Sequence, residues 1–465
     1  VTALNKRIIM LMTFVGVLFM FMAVYLSLFG VFKADDLKKS IYNQRLSDKE
    51  NQVERGTVYD INGVTLAKTD LSDGPERIYP YGDLYTHVIG YNSDMYGKSK
   101  IEFSFNDYLS GESAVGTAIN IASEAFGEEK RGMDLTLTVD HKLQQYSSDV
   151  LGNKNGCIIV MDAESGKIRA MVSKPTFNPS EPLLSDEWGT LTEREDSPFL
   201  ARATGGLYAP GSTWKIISSA SIIRNGLEKE IITDEGKVVI GGREYTNSKE
   251  KAYGDISLEE AFYNSSNVYF AQMGVDMGKD ALSLYDDFLL GKTIEFDIPL
   301  ADSNLADNIS KMGDTDIAST SIGQGKLQVT PLYMTMVASS VANGGEMVAP
   351  CLVEKAGRGG ITVYEAKKKT VAKPLSLAEA EKIKNMMALC VTDGTGKNAA
   401  VPGLAVYGKT GTAQNETDKS HDWFLGFAEN EEGEKSVICV MLEYNGVGSY
   451  EAASMAGKVF SYWLG

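Results

Sequence analysis

The pattern of apolar and polar positions divides the chain into distinct stretches. Between Lys6-Arg7 and Lys33 no charged residue interrupts the apolar run 8–32. A run of that length spans a bilayer core with some tilt. The lack of a polar face argues against a buried helix, and no small-x-small cleavage site follows, as a signal peptide would require. Positive charge on the short side points that end to the cytoplasm. The pattern therefore predicts a cytoplasmic tail over 1–7, a transmembrane helix over 8–32, and a body outside the cytoplasm. A charged, helix-compatible stalk is expected over 35–53. Alternation over 55–67 around Asn62-Gly63 predicts a hairpin. With the loop-rich stretch after it, this makes 33–132 a small α+β pedestal.

From residue 133 the texture changes. A strand is expected over 135–139, a helix over 141–151, and a second hairpin from the apolar runs 157–161 and 167–172 around the polar turn 162–166. The stretch 174–400 reads as mostly helical with polar loops. The end returns to strands over 404–409, 423–428 and 436–442, then a helix over 451–463, with no further module expected after it. Strands at both ends with helices between predict an α+β fold over 133–465, an antiparallel sheet assembled from the two ends and packed on a helical middle.

Composition narrows the function. The 465 residues suffice for more than one core, and a net charge of −17 argues against a nucleic-acid partner. Cys157, Cys351, Cys390 and Cys439 form no C-x-x-C pair, and their mostly apolar neighbourhoods suggest buried free thiols. His87, His141 and His421 lie far apart with no zinc-ligand spacing, so no metal or other cofactor is expected.

Against this background the stretch Ala209-Pro210-Gly211-Ser212-Thr213-Trp214-Lys215 stands out. Pro-Gly makes a turn, and helix-compatible spacing follows it. That places Ser212 at a helix start with Lys215 on the same face, where hydroxyl and amine can act as nucleophile and base. Backbone N–H groups at a helix start favour negative charge and disfavour a protonated amine. An N-cap serine beside a surface lysine would look the same. Two other stretches could complete a site. Asn264-Ser265-Ser266-Asn267 follows a helical run, so that Ser265 could pass a proton and Asn267 could hold a peptide amide, although a plain turn after a helix is the simpler reading. Lys409-Thr410-Gly411-Thr412 closes a strand and offers a cation and hydroxyls to a carboxylate. Gly411 leaves room for a close backbone, such as a peptide added as a strand, and the Thr412 N–H could join that of Ser212 as an oxyanion hole.

Ser-x-x-Lys, Ser-x-Asn and Lys-Thr-Gly in that order resemble the signature of penicillin-binding proteins and serine β-lactamases. The likeness extends further, to the class B penicillin-binding proteins, membrane-anchored transpeptidases of bacterial cell-wall synthesis. It rests on Arg55-Gly56 through Ala67, on 166–175, on Ile322-Gly323-Gln324-Gly325 with Val329-Thr330-Pro331, on Gly394-Thr395-Gly396, and on His421-Asp422-Trp423-Phe424. The resemblance implies that Ser212, activated by Lys215, attacks the penultimate carbonyl of a D-Ala-D-Ala stem peptide. It implies that Ser265 relays a proton to the departing D-Ala, that Lys409, Thr410 and Thr412 bind its carboxylate, and that Asn267 orients the peptide. It further implies β-lactams as covalent inhibitors, lipid-linked nascent glycan as substrate, and a SEDS-class membrane glycosyltransferase as partner. A carboxypeptidase, a β-lactamase and a non-catalytic β-lactam sensor are the alternatives.

Overall fold

The computed structural model describes residues 3–32, 53–72, 74–305, 308–415 and 419–465. Helix α1 covers Ala3–Phe32. Its described side chains run without interruption only from Met10 to Met22, and all of those are exposed. Counted on the described residues, no helix is long and apolar enough to cross a membrane. The expected stalk falls, apart from Val53, outside the described residues.

The hairpin expected at Asn62-Gly63 is present. Strands β1 (Val58–Tyr59) and β2 (Thr65–Asp70) pair antiparallel. The Asp60 carboxylate accepts from the N–H groups of Asn62 (2.8 Å) and Val64 (2.7 Å), and Gly63 supplies the positive φ of 85°. Next come β3 (Glu76–Ile78), α2 (Ala114–Ala125) and β4 (Asp134–Leu137). The fully buried Glu102 carboxylate lies between Arg55 Nε (2.6 Å) and Arg77 Nε (2.7 Å).

Helix α3 (His141–Leu151) and strands β5 (Gly156–Asp162) and β6 (Ile168–Lys174) lie where the pattern places them. The middle carries strands as well as the helices expected there. It does hold α4 (Lys215–Arg224), but then β7 (Ile232–Asp234), β8 (Lys237–Ile240), β9 (Arg243–Thr246) and β10 (Gly254–Ile256). Helices α5 (Leu258–Asn264), α6 (Asn267–Met277) and α7 (Pro331–Ala342) follow, then β11 (Val353–Arg358), β12 (Ile361–Glu365) and α8 (Leu377–Thr392). The physical reason lies in two Gly-Gly pairs. Gly241-Gly242 (φ 56° and 83°) and Gly359-Gly360 (φ 58° and 83°) close two-residue turns with both residues left-handed, the geometry that suits a twisted hairpin.

The chain ends in β13 (Ala405–Ala413), β14 (His421–Glu429), β15 (Lys435–Leu442) and α9 (Tyr450–Leu464). These strands and the early hairpin form an all-antiparallel sheet in the order β13-β14-β15-β5-β6, assembled from the two ends as expected. One face packs on α3 and α9 through Ile158, Val160, Phe424, Ile438 and Val440. The other carries Ile159, Leu425, Val437, Cys439 and Met441 into the main core. Cover on both faces explains why these strands are apolar at successive positions. Helix α7 is buried along its whole length, which accounts for its lack of a polar stripe.

A second sheet has the order β12-β11-β4-β1-β2-β3. Strand β4 runs parallel to β1, and the mid-chain hairpin β11–β12 adds to its other side. All four cysteines are free. Cys157, Cys390 and Cys439 are buried as expected, and Cys351 is partly buried.

Candidate active site

Ser212 lies in a short 3-10 turn, Gly211–Trp214, that leads into α4, so the regular helix begins at Lys215 rather than at the serine. The turn is wedged between two backbones. Gly211 has φ 54° and donates its N–H to Gly323 O (2.9 Å). A Cβ on Gly323 would lie 2.0 Å from Gly211 O, and one on Gly411 would lie 2.9 Å from Pro210 O. The space Gly411 leaves is thus occupied by the turn that carries Ser212. The Ser212 side chain is half-buried and makes no hydrogen bond among the described residues, whereas Lys215 is completely buried.

Ser265 and Asn267 sit where α5 ends and α6 begins. Ser265 caps α5 in the left-handed conformation (φ 61°, ψ 41°), which costs an L-residue about 1–2 kcal/mol. Ser266 caps α6, its hydroxyl accepting from Tyr269 N at 3.0 Å. This tight corner aims Ser265 and Asn267 at Lys215. The Lys215 amine donates to Ser265 O (2.9 Å), Ser265 Oγ (3.3 Å) and Asn267 Oδ1 (2.8 Å). Lys409 reaches the same hydroxyl from β13, with Nζ 2.9 Å from Ser265 Oγ and 3.1 Å from Thr410 O. Ser265 Oγ therefore lies between two buried amines.

Burial is the largest force on both. It pushes Lys215 well below the ordinary lysine value, with the Lys409 charge adding to the effect and Asp234 opposing it. Burial also lowers Lys409. The rings of Phe270 and Phe262 lie against the two amines, 5.3 and 5.7 Å from Nζ to ring centre.

Strand β13 forms one edge of the sheet. Along it Lys409 is buried toward Ser265, while Thr410, only 3% exposed, shares a hydroxyl contact with Thr395 of the Gly394-Thr395-Gly396 loop. Thr412 is exposed. The structure thus joins Lys215, Ser265, Asn267 and Lys409 in one hydrogen-bonded group and sets the Ser212 turn against Gly411 and Thr412, with the Thr410 side chain engaged elsewhere. Sequence reasoning missed Asp234 and Asn247, which bond to the Ser265–Asn267 corner from behind, through the Ser266 hydroxyl and the Asn267 N–H. Their only local signal is the ordinary one of turn residues.

The chain resembles known proteins along most of its length. The penicillin binding protein transpeptidase domain matches residues 156–464, and the penicillin binding protein A dimerisation domain matches 55–135. Peptidoglycan D,D-transpeptidase MrdA of Acinetobacter baumannii is 30% identical over 83% of this chain and 66% of its own length. For penicillin-binding protein 3 of Bacillus subtilis, 28% identical, the chain spans 65% of the relative's length. Peptidoglycan D,D-transpeptidase PbpA of Mycobacterium tuberculosis is 28% identical over 92% of this chain and 91% of its own. Among solved structures, the D,D-transpeptidase domain of an Eggerthella lenta peptidoglycan glycosyltransferase is 31% identical, with a TM-score of 0.79 over 88% of this chain and 97% of that one. The ceftriaxone acyl-enzyme of M. tuberculosis penicillin-binding protein A is 26% identical, with a TM-score of 0.84 over 90% and 99%.

Proposed function

The chain belongs to the penicillin-binding protein transpeptidase family, and from that premise we propose that it is a peptidoglycan D,D-transpeptidase with Ser212 as its nucleophile. The observation that carries the reading is the single hydroxyl, Ser265 Oγ, held within hydrogen-bond reach of both Lys215 and Lys409 beside the Ser212 turn. A buried lysine stripped of its preference for charge is suited to take a proton.

Ser212 Oγ bonds to the penultimate carbonyl carbon of a D-Ala-D-Ala stem as its proton passes to Lys215. The backbone N–H groups of Ser212 and Thr412 hold the oxyanion; losing one such donor costs about 100- to 1000-fold in rate. The C–N bond then breaks, and the departing D-Ala amine takes a proton relayed through Ser265. Thr412, the exposed hydroxyl of the strand, receives the carboxylate beside the Lys409 charge, and Asn267 orients the peptide. An amine from a neighbouring stem attacks the acyl-enzyme, releases Ser212 and completes the cross-link. The M. tuberculosis relative forms acyl-enzymes with penicillin G, imipenem and ceftriaxone, and β-lactams are expected to acylate Ser212 in the same manner.

The uncharged run 8–32 supports a single-pass anchor with its N-terminus in the cytoplasm, a pedestal over 33–132 and a transpeptidase domain over 133–465. Such an anchor suits a lateral partner of the SEDS glycosyltransferase class, which supplies lipid-linked glycan strands. Intact-mass analysis after penicillin treatment, with peptide mapping, tests the core of this reading. One adduct on the Ser212 peptide is expected, with none on Ser212→Ala. Sustained nitrocefin turnover would instead mark a β-lactamase, and D-Ala release with no cross-linked product a carboxypeptidase.

A further inference from the structure

The corner that carries Ser265 and Asn267 is held from behind by two side chains with no part in the chemistry above. Asp234, fully buried at the end of β7, accepts from Ser266 Oγ at 2.6 Å, from Gly236 N at 2.8 Å, and from Asn247 Nδ2 at 2.8 Å on each carboxylate oxygen. Asn247, just past β9, turns its Oδ1 the other way, to the N–H groups of Asn267 (2.7 Å) and Val268 (3.2 Å). A carboxylate only accepts, and so does the Lys251 carbonyl, 2.9 Å from Asn247 Nδ2, so Asp234 and Lys251 O together fix which end of the Asn247 amide faces α6. The orientation passes on. Asn267 donates its Nδ2 to Thr246 O (2.8 Å), which leaves its Oδ1 for Lys215.

A non-glycine residue in the left-handed region persists where its surroundings over-determine it. Ser265 is such a residue, and the bonds from β7 and β9 to Ser266 and Asn267 fix the two positions after it. We propose that Asp234 and Asn247 are positioning residues of the acyl-transfer site, locking the Ser265–Asn267 corner so that Ser265 Oγ and Asn267 Oδ1 both meet Lys215. Neither touches a reacting atom. Asp234 also has an electrostatic role. The charges that act on Lys215 are Lys409 from β13 and Asp234 from β7, and only Asp234 favours the protonated amine.

The proposal rests on serine acylation, so wild-type acylation at Ser212 is measured first; its absence would sink that reading rather than this one. Given an acylated wild type, Asp234→Asn replaces one of the two oxygens that face Asn247 and Ser266 by an NH2 group, so that one bond becomes a contact between donors and the corner shifts. Acylation by a fluorescent penicillin should fall about 100-fold, the order expected from an ångström-scale misplacement, with the folded circular dichroism spectrum retained. The acid limb of the rate profile should move to lower pH, because the charge holding the proton on Lys215 is gone. The exchange D234N/N247D restores a donor facing an acceptor and one carboxylate, losing only the bond from position 247 to Lys251 O. It should recover to within about tenfold of wild type and return the limb toward its original position. If D234N does not fold, Ser266→Ala, which removes one bond to Asp234, should still slow acylation about tenfold. A D234N protein that acylates at the wild-type rate, an exchange no faster than the single variant, an unmoved acid limb, or a fully active S266A would each overturn the proposal.

Discussion

Lys215 carries the chemistry only if it can lose its proton. Its folded value lies well below the 10.5 of an ordinary lysine, first through burial and then through Lys409. Between the two values the unfolded chain binds more protons than the native one, so stability rises with pH across that window. Acylation should follow the neutral amine, rising with pH to a plateau whose midpoint lies well below about 10.4; stopped-flow acylation across pH checks this. Lys215→Arg keeps a cation that cannot deprotonate, so the rate should fall about 1000-fold. A second test concerns Gly323, whose φ is 75° and whose Cβ would press on Gly211 O. Gly323→Ala should cost about 2–4 kcal/mol, adding left-handed strain to overpacking, and should slow acylation about 100-fold by displacing the Ser212 turn. Gly433→Ala has similar φ but nothing within 4 Å of the new Cβ. It should cost about 1 kcal/mol and leave acylation unchanged, as thermal melts and the same kinetics will show. At this scale Ser212 and Lys215 were legible because they are neighbours in one short motif. Asp234 and Asn247 were not, because a buried carboxylate and a turn asparagine become partners only through tertiary contact.

The elements were legible in proportion to how locally they are determined. Strands β5, β14 and β15 showed as continuous apolar runs because helices cover both of their faces, and the Asn62-Gly63 hairpin showed through turn chemistry. The pairing of β4 with β1 in parallel on one side and with β11 antiparallel on the other joins segments far apart in sequence, and no local period encodes that. The hairpin β11–β12 is more than an ornament on the sheet. From its end, half-buried Arg358 donates Nη1 to Asn120 Oδ1 (2.7 Å) and Arg131 O (2.9 Å), tying the mid-chain to α2 and to the segment just before β4. Arg358→Ala should cost about 1–3 kcal/mol. In hydrogen exchange the increase should be largest over 114–137 and 353–365, because local openings there no longer break these bonds. An equal increase across all amides, or none, would show that the arginine does not clasp the two segments.

For the molecule as a whole, the segment that matches the dimerisation domain, the proposed pedestal, and the segment that matches the transpeptidase domain, the proposed body, share one core. The core that includes Val58, Ile89 and Leu135 continues without a break into Ile159, Trp214 and Met441. Thr86 adds polar stitching, donating its hydroxyl to Phe177 O (2.7 Å). Chains of several domains commonly melt in separate steps, but a sheet that borrows β11 and β12 from the body should not. Glu102 supplies the test, because it is fully buried and both of its ion-pair partners, Arg55 and Arg77, come from the pedestal segment. Burial alone would raise its value, yet Arg77 and Arg55 outweigh that and hold it below the usual 4.5. Such a carboxylate contributes stability that is fully present above 4.5 and is lost as pH falls through its depressed folded value. Glu102→Gln leaves two buried guanidinium groups short of a counter-charge and should cost about 3–5 kcal/mol near neutral pH. The gap from wild type should narrow as acid protonates the native Glu102 and makes it resemble the variant. Calorimetry over a pH series should show one transition in both proteins, moving together for pedestal and body. Two resolved transitions, with only the smaller one displaced by the substitution, would mean that the shared sheet does not couple the halves.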